Sequence, residues 1–242
     1  ATSSACGIDF VGTKEFPVSA DAPPAATESS PPMIPPCPID HGAMVLVEAG
    51  GLEFCIDATE VRNVEYDTFL IATDGGTVDS SAFDAGAPEG CTSNRSYARA
   101  GDAGAAVDLP ASHIDWCDAN GYCRWAGKRL CGKNVDGGAD SGEWFAACSD
   151  GNNRAFAYGV THRDGLCNEK DSGPVAVGSL LGCQGSVPGL FDMNGNVGEF
   201  VDNCTGESCN AMGGDYALAG GCFVTEPVAK SVTGPSRGIR CC

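Results

Sequence analysis

Positive charge is scarce in this chain. Its 242 residues hold 14 lysines and arginines against 32 acids, a formal net charge of −18. That deficit excludes the two partners that reward basic patches, nucleic acid and an anionic membrane surface. Long apolar runs are missing too. None approaches the roughly 18 residues that span a bilayer, so no membrane span is expected. No signal peptide is visible either, and the sequence is expected to begin after signal removal or to be cut from something longer. Histidine is down to three residues, His41, His113 and His162, and no CxxC occurs. A conventional zinc site has little to work with.

Cysteine is abundant instead, at 15 residues, alongside 34 glycines and a hydrophobic fraction of 43%. That fraction belongs to a folding chain and not to a disordered acidic one. A reducing cytosol would leave so many thiols loose, so disulfides are expected, in an oxidising compartment: secreted or at the cell surface. Fifteen is odd. At least one cysteine is left free, bonded to another chain, or bonded to a small thiol.

The composition divides the chain at about residue 40. Residues 16–38, FPVSADAPPAATESSPPMIPPCP, are rich in proline, alanine and serine and have no hydrophobic period. Such a segment cannot bury enough apolar area to offset its own ordering. Residues 1–40 therefore read as a tail or linker, which Cys6 and Cys37 could pin to the domain or to a neighbour. Residues 41–242 read as the domain. MVLVEAGG (44–51) and LEFCIDATE (52–60) form a hairpin across a double glycine. Asn63 is placed to cap a helix whose face carries Tyr66, Phe69 and Leu70, and Asp115 to cap one with an Ala119, Tyr122, Cys123, Ala126 stripe. A third short helix fits residues 141–148, and residues 74–108 read as loop. Periodicity gives α+β with much loop, and no topology.

Five segments carry a resemblance. FCIDATEVRNVEYDTFL (54–70), ASHIDWCDANGYCRWAGKRL (111–130), PVAVGS (174–179), GLFDMNGNVGEF (189–200) and GIRC (238–241) match, in order, motifs of the formylglycine-generating enzyme family, also called the sulfatase-modifying factor family. The resemblance covers roughly residues 44–242. It implies a C-type-lectin-like α+β fold with little regular secondary structure. It also implies an activity, oxidation of a sulfatase cysteine to formylglycine with oxygen, copper and two cysteines five residues apart. The matching segment here is MGGDYALAGGCFV (212–224), and the two cysteine positions fall at Leu218 and Phe223. Neither side chain can replace the soft thiolates that hold copper(I). Asp215 stands for the family's serine and Gly198 for its tryptophan, so no catalytic residue carries over and copper is not expected.

The same resemblance implies two bridges, Cys123–Cys241 and Cys148–Cys222. It implies a structural calcium held by the side chains of Asp192 and Glu199 and the carbonyls of Gly195 and Val197. Oxygen donors on a glycine-broken loop suit that ion. A second calcium would use Asn168 and the carbonyl of Glu169, with Asp171 nearby. The function expected is a secreted, disulfide-stabilised, calcium-binding, non-catalytic module that binds a protein or glycan outside the cell or associates with itself. The alternative is an oxidoreductase with its chemistry moved to Cys222 or to the Cys241–Cys242 end.

Overall fold

The computed structural model describes residues 37, 40–77, 88–101, 106–132 and 142–242. The proline-rich stretch up to residue 36 lies outside them, and with it Cys6 and the expectation of a linker.

Strands β1 (Met44–Ala49) and β2 (Leu52–Asp57) pair antiparallel, with Val47 opposite Phe54. Gly50 and Gly51 join them at φ +61° and +78°, the two positive angles that a type I′ hairpin turn demands. Helix α1 (Asn63–Ala72) follows and buries Tyr66 and Phe69. Its cap is Arg62 and not Asn63. The Arg62 amide donates to Glu65 Oε2 at 2.8 Å, while the Asn63 side chain donates to the Ala106 carbonyl at 3.1 Å. A long-range partner took the amide that the local pattern assigned to capping.

Helix α2 (Trp116–Trp125) starts as its sequence directs. Asp115 Oδ1 accepts the Asp118 amide at 2.9 Å, and Asp118 Oδ2 accepts the Asp115 amide at 3.1 Å, a reciprocal cap. Burial and the neighbouring Asp115 push the Asp118 carboxyl up to about 7. Ala119, Tyr122, Cys123 and Ala126 are all buried. The mid-helix Gly121 is there because a Cβ would sit 2.4 Å from the Tyr97 ring. Helix α3 (Glu143–Ser149) begins at Glu143, one turn of buried Trp144–Phe145–Ala146.

A second sheet holds β3 (Gly198–Thr205), β4 (Ser208–Met212), β5 (Thr225–Ala229) and β6 (Arg237–Ile239) in the order β5-β4-β3-β6. Only the β3–β6 pairing is parallel. Pro227 lies on β5, which has a partner on one side alone, where a missing N–H is tolerated. The result is an α+β fold with short elements and two buried apolar clusters. One gathers α1, α2 and the second sheet around Tyr66, Trp116, Tyr122 and Phe200. The other gathers the hairpin and α3 around Val47, Ile56, Trp144 and Met193.

Seven disulfides tie these parts: Cys37–Cys55, Cys91–Cys117, Cys123–Cys241, Cys131–Cys242, Cys148–Cys222, Cys167–Cys183 and Cys204–Cys209. They take every cysteine except Cys6. Cys37 is bonded to β2, so the chain enters the domain at a fixed point. Arg129 and Cys242 exchange backbone hydrogen bonds at 2.9 and 2.7 Å, which adds a short ladder beside the two C-terminal bridges.

Candidate functional site

The loop of residues 212–224 follows β4 and folds back on itself. Gly213 and Gly214 take φ of +95° and +74°. A Cβ on Gly220 would lie 2.0 Å from the Gly213 carbonyl, so glycine is what allows the two limbs to touch. Asp215 organises the tip: its Oδ1 accepts the Ala217 and Leu218 amides, both at 2.9 Å, and its Oδ2 accepts Arg237 Nη1 at 3.2 Å. Leu218 is 54% exposed and Phe223 49% exposed. Phe223 rests edge-on against Phe145 at 5.0 Å between ring centroids. Cys222, between them in sequence, is fully buried and bonded to Cys148. Over Gly198, where the resemblance expects a tryptophan, lies the stem of Arg237, whose Cδ is 3.5 Å from a notional Cβ. Arg237 then pairs with Asp215 and Glu226.

Behind this loop is a buried charge cluster. Glu199, on β3, receives Arg240 Nε and Nη2, both at 2.7 Å, and Trp144 Nε1 at 2.5 Å. The remaining Arg240 donors reach the carbonyls of Asp57 at 2.6 Å and Phe191 at 2.8 Å. Asp192 stands at φ +58° and accepts the Gly178 amide at 2.5 Å. Glu60, adjoining Asp192, accepts Asn196 Nδ2 on Oε1 at 3.0 Å, and its Oε2 has no hydrogen-bond partner. Burial, with the charges of Asp192 and Glu199, pushes the Glu60 carboxyl well up, and burial also raises Asp192. Three buried carboxylates therefore face one buried guanidinium. Such an excess is discharged by a proton or by a second cation.

The expected calcium set can be tested on this geometry. Asp192 and Glu199 lie in the same cluster as the Gly195–Val197 turn. Glu199 has given three of about four carboxylate lone-pair sites to protein donors, which leaves one on Oε1. Among the described residues, no three histidine, cysteine, aspartate or glutamate side chains are placed to hold a metal ion. An ion here would lean on two carboxylates and the Gly195 and Val197 carbonyls, a hard-oxygen set that fits calcium and not a soft metal.

The second expected set lies against the first. The Asn168 carbonyl accepts the Asn196 amide at 2.8 Å, and Asn168 Nδ2 donates to Asn196 Oδ1 at 3.1 Å. Glu169 uses its side chain, accepting the Gly220 amide at 3.0 Å and meeting His162 Nε2 at 2.8 Å. Asp171 contributes its amide to the Tyr216 carbonyl at 2.7 Å. Glu169 and Asp171 thus brace the 212–224 loop from behind, while Asn168 braces the turn at Asn196. Sequence reasoning missed Glu60 and His162. Glu60 lies three residues past β2, and nothing local sets it apart from Glu53 or Asp57 in the same segment.

Residues 51–238 match the sulfatase-modifying factor enzyme 1-like domain. The chain belongs to this family. Formylglycine-generating enzyme of Mus musculus is 32% identical over 110 residues, 39% of this chain and 27% of that protein. The chain thus aligns with well under two thirds of that relative's length. PvdO from Pseudomonas aeruginosa shares the fold with a TM-score of 0.55 at 20% identity, over 88% of both chains. CarF does so with a TM-score of 0.51 at 17% identity, over 78% of this chain and 85% of CarF. Leu218 and Phe223, where the resemblance expects the two cysteines, are both exposed, and Cys222 between them is locked in a disulfide.

Proposed function

We propose that this chain is a non-catalytic member of the sulfatase-modifying factor family, a disulfide-stapled module that binds a protein or glycan outside the cell, with self-association as one form of that binding. One observation carries the reading. The segment matching the family's catalytic loop presents Leu218 and Phe223 to solvent, and Cys222 is bonded to Cys148. A copper(I) oxidase needs two thiolates at the metal, and this loop offers none. Cys241 and Cys242, the other place to which cysteine chemistry could move, are each bonded as well. The disulfides accord with an oxidising compartment outside the cell, and among the described residues no helix is long and apolar enough to cross a membrane. The decisive assay supplies a cysteine-containing sulfatase peptide with copper and oxygen. No formylglycine and no tight copper(I) binding are expected; turnover would overturn the proposal.

Calcium is the cofactor this reading includes, structural in role and held by Asp192 and Glu199 with the carbonyls of Gly195 and Val197. The excess of buried carboxylates over guanidinium supports it. An ion that binds only the folded state stabilises it by mass action, about 2.7 kcal/mol at a hundredfold excess over Kd. EDTA is therefore expected to lower the Tm of the wild type and to leave that of Asp192→Ala unmoved. Equal chelator sensitivity in both proteins would place the ion elsewhere.

A further inference from the structure

The buried carboxylates of Glu60, Asp192 and Glu199 all face Arg240, but the protein does not serve them equally. Glu199 takes Arg240 Nε and Nη2 and also Trp144 Nε1, so its charge is matched. Asp192 has the Gly178 amide on Oδ2. Glu60 has Asn196 Nδ2 on Oε1, and its Oε2 meets no donor among the described residues. Once Glu199 and Arg240 cancel, the charges of Glu60 and Asp192 are left over, the amount that one divalent cation supplies.

The fold gives neither carboxylate an escape. Glu60 is 1% exposed, and the backbone beside it is pinned on both sides. The Val61 amide donates to the Ile239 carbonyl and the Val61 carbonyl accepts the Ala111 amide, both at 2.8 Å. The Phe191 amide donates to the Ala58 carbonyl at 2.8 Å. That link joins the segments carrying Glu60 and Asp192, whose carboxyl groups lie within hydrogen-bonding reach of each other. Asn196 cannot turn to supply a second N–H. Its Oδ1 accepts Asn168 Nδ2 at 3.1 Å and the Val175 amide at 2.9 Å, and its Nδ2 also donates to the Val175 carbonyl at 3.3 Å. Burying a carboxylate oxygen without a donor is costly, and setting it against a second carboxylate adds repulsion.

We propose that Glu60 is a direct ligand of the calcium ion, which Glu60 Oε2 and Asp192 hold between them, while Glu199 serves as the counter-ion of Arg240. A cation seated between the two carboxylates removes their repulsion and gives Oε2 the partner that the protein withholds. Calcium accepts a flexible set of oxygens, whereas magnesium keeps several waters and is the poorer fit to a pair shielded from solvent. The proposal rests on the calcium reading and revises its ligand set: Asp192 and the Gly195 and Val197 carbonyls stay, and Glu60 takes the place given to Glu199.

The experiment strips the full chain with EDTA, titrates it with calcium chloride by calorimetry, and records Tm with and without the ion. Glu60→Gln sets an N–H beside Asp192 and removes one charge. Its Tm in EDTA is expected to exceed that of the wild type, and its calcium affinity to fall about tenfold or more. Glu60→Asp keeps the charge but withdraws the oxygen by one methylene, and is expected to bind calcium more weakly with no gain of Tm in EDTA. Wild-type calcium affinity in either variant, or a Glu60→Gln protein less stable than the wild type in EDTA, would overturn the proposal and leave the calcium reading standing. A wild type that binds no calcium would overturn that reading, and this ligand with it.

Discussion

Arg240→Met is expected to destabilise the domain by about 3–5 kcal/mol, because removing one partner of a buried ion pair strands the other. In the calcium-free protein, Glu199 would keep only Trp144 as a donor, and Glu60 and Asp192 would lose the positive charge of Arg240. The deficit has a predictable pH dependence. Glu60 and Asp192 already titrate above the ordinary carboxyl range, and loss of Arg240 raises them further. A folded state that holds protons more tightly than the unfolded one gains stability as pH falls. The deficit should therefore be largest at pH 8 and shrink as pH is lowered toward the ordinary value near 4. Urea unfolding at several pH values measures it, and a pH-independent deficit would mean that packing, not charge, was lost. The double variant Arg240→Met, Glu199→Gln should recover part of the loss, since the stranded charge is then gone.

The second large effect lies in the two adjacent C-terminal bridges. Cys123–Cys241 spans 118 residues and Cys131–Cys242 spans 111. Taken alone each closes a long loop, but with the other in place the loop it closes is only about ten residues. In the chain-entropy model, removing one bridge by paired alanine substitutions should cost about 3 kcal/mol, and removing the second about 4 more, because Cys148–Cys222 already cuts across the long loop. The sum of the two single effects should therefore fall short of the joint effect by about 1 kcal/mol, a coupling that a double-mutant cycle can read. Strict additivity would show that the bridges constrain the unfolded chain independently, against the nested geometry.

What could be read in the sequence was what neighbours decide. The α2 cap and stripe are local, since Asp115 and Asp118 complete each other within one turn, and the Gly50–Gly51 hairpin needs no partner beyond its own strands. Asn63 shows where that logic stops. Its spacing is right for a cap, yet its amide goes to Ala106, 43 residues on. The parallel β3–β6 pair escaped because Gly198 and Arg237 carry no strand pattern and find each other only in the folded domain. The candidate site divides in the same way. Leu218 and Phe223 are assigned through a motif frame, which needs no knowledge of the fold. Glu60 was not legible, because its meaning comes from Asn196, 136 residues later, and from the Arg240 charge it faces.

The last six residues have a consequence for biosynthesis. Arg237 to Ile239 form the strand that joins β3, Arg240 supplies the buried cation that Glu199, Asp57 and Phe191 await, and Cys241 and Cys242 anchor segments more than a hundred residues upstream. None of these contacts can form while those residues are still inside the ribosome or the translocation channel. Upstream segments can collapse as they emerge, but this domain must then wait, with its carboxylates uncompensated and Cys123 and Cys131 without their native partners. Premature pairing of those two thiols with earlier cysteines is the misfolding route that this order of synthesis opens.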